Sequence, residues 1–140
     1  MSDYTFDPAL PGILLLSHGP LCEAILSSAR LIAGSCDNVA ALPLREDDDV
    51  EAYGDKAMAL FKSMPEGSIV LFDLLGGTPF NQLMMKSGGE AFPGLCGMNL
   101  PMLLEAVSLR EVMNGDELID TLADSAREAV VNIRSFFEVS

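Results

Sequence analysis

Two short stretches hold the residue types from which chemistry is built. The first is ILLLSHGP, residues 13–20, where an apolar run ends on Ser17, His18, Gly19 and Pro20. His18 is the only histidine in the chain. An imidazole at the end of a buried strand can act as a base, a nucleophile, a metal ligand or a structural hydrogen-bond partner. The second stretch is LFDLLGGTPFN, residues 71–81, which sets Asp73, Gly76, Gly77, Thr78 and Pro79 between a strand-like run and a helix-like one. Paired glycines permit unusual dihedrals and close approach of the backbone. Thr78 can cap the following helix through its hydroxyl, and Pro79 suits the first turn. Such a helix start turns free N–H groups toward an anion. Together the stretches offer an imidazole, a carboxylate and an anion cradle, provided that the fold brings them to one edge.

Neither stretch is decisive alone. With no second histidine and no C-x-x-C, a metal site has little support. The cysteines Cys22, Cys36 and Cys96 are odd in number and widely spaced, which argues against a disulfide framework and for packing roles in a reducing cytoplasm. A hydrolase using Ser17 or Thr78 lacks the G-x-S-x-G elbow. Position alone leaves a structural histidine level with a functional one, and the GGTPF turn reads equally as an ordinary capped turn.

The elements that must position these residues alternate in type. GILLLS (12–17) reads as a buried parallel strand, and residues 20–33 as a helix with Leu21, Ile25, Ala29 and Ile32 on its apolar face. Gly34 stands where a left-handed cap would end that helix. VAALPL (39–44) is a second strand, and residues 47–64 are a second helix with Asp48 and Glu51 at capping-box spacing. A third strand lies within 66–75, a third helix follows Gly76 to Ser87, a fourth strand lies within 91–98, and a fourth helix spans 99–113 with Asn99 as its cap. A last helix covers Asp116 to about Arg127, and AVVNIR (129–134) could extend it or form a strand. Residues 1–11 read as a leader without a basic segment or long apolar core, and 12–140 as one domain. The expected fold is α/β and doubly wound, with a mainly parallel sheet in order 2-1-3-4 and helices on both faces. Ligands of such sheets gather at the carboxyl ends of the strands where the order reverses, here between the first and third strands. His18 follows one and Asp73 ends the other.

The same residues carry a family resemblance. GILLLSHGPLCEAIL (12–26), VLFDLLGGTPFN (70–81) and GMNLPMLLE (97–105) resemble, in order and spacing, the mannose-type IIA component of the bacterial phosphoenolpyruvate-dependent sugar phosphotransferase system. The likeness covers about residues 12 to 134. It implies a phosphoryl carrier: His18 accepts a phosphoryl group from the phosphocarrier HPr and passes it to a IIB protein. It implies that Asp73 orients the imidazole, and that Gly76, Gly77 and Thr78 bind the phosphoryl group. The expected partner surface comprises Gly19, Arg45, Asn99 and Pro101. The resemblance also implies a homodimer in which an antiparallel C-terminal strand is exchanged, with AVVNIR as its candidate. No metal or other cofactor is expected, and the IIB partner is expected to be a separate chain.

The chain departs from the family pattern after the second strand. Where P-G-E or similar is usual, it reads Pro43-Leu44-Arg45-Glu46-Asp47, so an arginine replaces a small residue at the site rim. A net charge of −13 disfavours nucleic acid and anionic membrane as partners. No apolar run approaches a membrane span, so a cytoplasmic protein without direct membrane insertion is expected. Two other jobs fit the same chemistry: a regulatory phosphosensor without a sugar permease, and a phosphotransfer domain serving dihydroxyacetone kinase.

Overall fold

The structure is a computed structural model that describes residues 4–137. Strands and helices alternate: β1 (Ile13–His18), α1 (Leu21–Ala33), β2 (Val39–Leu44), α2 (Val50–Lys62), β3 (Ile69–Phe72), α3 (Thr78–Lys86), β4 (Gly94–Cys96), α4 (Leu100–Leu109) and α5 (Gly115–Glu128). A short 3-10 turn, Ile133–Phe137, follows. The sheet has the order β2-β1-β3-β4, and all its pairings are parallel. The expected α/β architecture is therefore present.

Alternation along β1 explains the two layers. Ile13 and Leu15 face α1, α4 and α5, where they join Cys22, Leu26, Met102, Leu103, Leu118 and Leu122. Leu14 and Leu16 face α2 and α3, where they meet Tyr53, Ala57, Leu60, Phe72 and Leu83. Burying each such large apolar side chain contributes about 1.5–3 kcal/mol. A strand with helices on both faces must be apolar at every position, which is why residues 13–16 form a continuous run instead of alternating with polar residues.

Several local expectations shift. The buried stripe of α1 is Cys22, Leu26 and Ala29, while Leu21 and Ile32 are exposed. The stripe is rotated by about one position because the turn after β1, with Pro20 outside the helix as its cap residue, sets where the first turn begins. Gly34 has the expected positive φ of 83°, although its ψ of −135° is not that of a left-handed helical cap. The cap of α2 is Asp49, whose side chain accepts from Glu51 N; Asp48 instead accepts from Arg45 N at 2.7 Å. AVVNIR forms no strand and does not extend α5: α5 ends at Glu128, and the last two residues of the segment open the 3-10 turn that begins at Ile133. Val130, Ile133, Phe136 and Phe137 stand exposed.

The described part of the leader, residues 4–11, is tied to the fold. Asn38, held at φ 59°, donates from Nδ2 to the carbonyls of Asp7 and Leu10 at 2.8 and 2.5 Å and accepts from Asp7 N at 2.9 Å. The Tyr4 hydroxyl donates to the Ala41 carbonyl and accepts from Ala41 N, so the leader lies along the outer edge of β2. Asn38→Ala should lower stability by about 1–2 kcal/mol, through these lost bonds and the positive φ that alanine disfavours. Urea unfolding would measure it, and limited proteolysis at residues 7–10 should become faster. An unchanged midpoint would show that the leader adds nothing to the fold. No helix among the described residues is long and apolar enough to cross a membrane.

Candidate functional site

The turn after β1 is built by a buried serine. Ser17 Oγ donates to the Gly19 carbonyl at 2.9 Å and accepts from Cys22 N at 2.9 Å, which ties the strand end to the start of α1. Ser17 is fully buried, so its hydroxyl is spent on the turn and is not presented to a substrate. Gly19 supplies the positive φ of 60° that lets the chain reverse, and its N–H reaches the Leu44 carbonyl at 2.7 Å. His18, the last residue of β1, is thereby lifted to the carboxyl edge with its side chain 45% exposed.

Asp73 meets it across the switch point. Its N–H continues the β1–β3 ladder onto the Leu16 carbonyl at 3.1 Å. One carboxylate oxygen, Oδ2, accepts both from His18 N at 2.9 Å and from the ring at Nδ1, 2.8 Å away. The Asp73 side chain is only 10% exposed, and its other oxygen, Oδ1, is buried without a hydrogen-bond partner. A buried carboxylate is costly unless it is paired, and here the histidine supplies two bonds to one oxygen. Donation from Nδ1 to the Asp73 carboxylate assigns the proton of the neutral ring to that nitrogen and leaves the lone pair on Nε2, on the side of Gly77.

The third component is the turn before α3. Gly76 sits at φ 81°, and Asn81 Nδ2 reaches back to its carbonyl at 2.9 Å. Gly77 is the residue over which the imidazole packs: a Cβ there would collide with His18 Cε1 and lie 3.0 Å from Nε2. Thr78 opens α3 as its first helical residue, with Gly77 in the cap position, so the expectation that Thr78 caps the helix is corrected. Because no side chain caps α3, the N–H groups of its first turn stay open beside the ring.

His18, Asp73, Gly77 and the start of α3 at Thr78 thus share one edge, with Gly76 behind them in the turn. Gly19 and Arg45 border the same histidine in a hollow of about 380 Å³. Asn99 and Pro101 open α4 beyond β4, two strands away from β1. Asn99 is engaged within the fold, accepting from Met102 N at 2.9 Å and donating to the Ala126 carbonyl at 3.3 Å. Reasoning from residues alone gave no role to Asn81 or to the Ser17 turn. A hydroxyl before a glycine turn, and an amide five residues beyond one, were the signals available. The nearby thiols are muted. Burial pushes Cys22 up, and burial together with the charge of Asp73 pushes Cys96 up.

A half-exposed imidazole, braced at one nitrogen by a carboxylate, thus faces an open helix start at the switch point of a parallel-sheet α/β domain. Known proteins give the class a name. Residues 12–123 match the family EIIA-man, described as the PTS system fructose IIA component, and the chain belongs to that family. Membership brings a phosphotransfer role in the sugar phosphotransferase system. The chain is 29% identical over 120 residues to the fructose-specific EIIA component of Bacillus subtilis, covering 84% of this chain and 82% of that protein. It is 27% identical over 127 residues to the mannose-specific EIIAB component of Escherichia coli K12, of which it spans only 39%. The crystal structure of the phosphotransferase system component EIIA from Streptococcus agalactiae superposes with a TM-score of 0.81 at 31% identity, over 90% of this chain and 99% of that one.

Proposed function

We propose that this protein is a phosphoryl carrier that takes the group from phospho-HPr onto Nε2 of His18 and hands it to a IIB protein for sugar uptake. The observation that carries the reading is the 2.8 Å contact between His18 Nδ1 and Asp73 Oδ2, with the other ring nitrogen left against Gly77. In the transfer, the Nε2 lone pair forms the new N–P bond as the N–P bond to the donor imidazole breaks. The electron pair of the broken bond stays with the donor ring. His18 then carries a phosphoryl group and a positively charged ring, and the Asp73 carboxylate faces that charge through Nδ1–H. Thr78 and the open N–H groups at the start of α3 supply donors for the phosphoryl oxygens. Reactions of this type need in-line positioning and charge stabilisation more than covalent help. The reading is tested by incubation with phosphoenolpyruvate, enzyme I and HPr. One acid-labile, alkali-stable phosphate on His18 is the expected product, and no incorporation would reject the carrier role.

Asp73→Asn should slow phosphorylation roughly tenfold to a hundredfold, the scale of a lost charged hydrogen bond. Asparagine can still accept from Nδ1–H, but it brings no charge and its amide can turn. Rapid-quench kinetics beside a titration of HPr affinity would separate the effects. A normal rate would remove Asp73 from the site, and weakened affinity at a normal rate would make it a docking residue.

We further propose that residues 12–140 act as one IIA-type domain in the cytoplasm, preceded by the leader 1–11, and that the protein works as a homodimer. The exposed apolar tail from Val130 to Phe137 supports the dimer, because such a segment is a liability unless covered. Light scattering at micromolar concentration should give twice the chain mass, and removal of residues 128–140 should reduce it. A monomeric full chain, or a dimer indifferent to the deletion, would reject the exchanged segment.

A further inference from the structure

The rim of the site holds a cation, Arg45. β1 and β2 pair so that His18 stands opposite Leu44, and Gly19 N–H bonds to the Leu44 carbonyl. Arg45 therefore leaves the sheet beside the histidine turn. Its root is fixed, because its N–H donates to Asp48 Oδ2 at 2.7 Å. Its guanidinium reaches Glu23 Oε1, in the first turn of α1, at 3.4 Å, with the two side chains 60% and 48% exposed. Glu46 and Asp48 line the same hollow as His18, and Arg45 is the only permanent cation among its lining residues. Asp73 adds a further negative charge behind the ring.

We propose that Arg45 is the counter-ion of phosphorylated His18, releasing Glu23 to bind the phosphoryl group. The inference rests on the carrier reading above. A phosphoryl group brings close to two negative charges into a rim that already holds Glu23, Glu46, Asp48 and Asp73. A guanidinium matches phosphoryl oxygens with two parallel N–H donors, a geometry that the long contact to Glu23 does not use. An exposed pair of this kind contributes little to stability, so the exchange of partners costs little. Arg45 then raises the phosphoryl affinity of His18 and sets how the group is shared with its donor.

The test is the transfer equilibrium between phospho-HPr and the full chain, read as the partition of phosphate after an alkaline quench and intact-mass analysis. That constant depends only on the free phosphorylated and unphosphorylated proteins, so docking contacts cannot move it. Arg45→Gln should shift the partition toward HPr by about fivefold, and less in high salt. Glu23→Gln should shift it toward this chain by about twofold, because the guanidinium loses its competitor. A phosphorylated Arg45→Gln variant with an unmoved partition would overturn the proposal, including the case in which HPr affinity alone falls and Arg45 is a docking residue. Failure of the unaltered chain to take phosphate on His18 would instead reject the carrier reading, and the proposal with it.

Discussion

His18→Ala is expected to take up no acid-labile phosphate from phosphoenolpyruvate, enzyme I and HPr, while keeping the fold. The loss should be complete because this is the only imidazole in the chain. The fold should survive because His18 is the exposed last residue of β1, and the apolar run below it is untouched. The carboxylate behind it is not stranded, since the backbone N–H of residue 18 still donates to Asp73 Oδ2. Mass mapping after an alkaline work-up reads the label, and thermal unfolding by circular dichroism reads the fold. Stable label on Ser17 or Thr78 would overturn the assignment. Ser17 is the less able of the two, because it is buried with both hydrogen bonds inside the turn.

Gly77→Ala should slow phosphorylation by about a hundredfold, the cost expected of a small misplacement of a reacting group. The backbone at Gly77 has φ −78° and ψ 172°, which alanine adopts freely, so stability should hold. The damage is local: the new methyl group would occupy the space of His18 Cε1 and push the ring off its approach to α3. Gly76→Ala is the matched control. A Cβ there meets nothing within 4 Å, but its φ of 81° is strained for alanine. That variant should lose roughly 1 kcal/mol of stability while transferring phosphate at a rate near normal. Rapid-quench kinetics and urea unfolding of both variants separate the two kinds of glycine. A normal rate in Gly77→Ala would show that the close approach to the ring is dispensable.

Much of this site is local chemistry and was legible in order along the chain. The continuous apolar runs at 13–16 and 69–72 announce strands covered on both faces. Histidine, aspartate and the glycine turn each follow a strand of that kind, and one topological rule brings strands one and three side by side. Asn99 reads as a cap from its type and place, and it is one. The α1 stripe, by contrast, was read one position off, because helical phase depends on where the Ser17-braced turn releases the chain. Asp48 and Asp49 are chemically equal candidates for the α2 cap, and only the path of Arg45 decides between them.

The amino-acid sequence by itself determined the alternation of strands and helices, and with it the fold class, and it singled out His18 and Asp73 as candidates at strand ends, because burial periodicity and turn chemistry are properties of neighbouring residues. Tertiary structure alone decided the contacts between residues far apart in the chain. Asp73 aims one oxygen at both nitrogens His18 offers it, Gly77 lies under the ring, Tyr4 sits on the β2 edge, and Arg45 is held by Glu23 across the histidine turn. These depend on side-chain direction at an edge where elements remote in sequence converge, and no local pattern encodes direction. The described part of the tail after Glu128 pairs with no strand of the sheet and stands exposed.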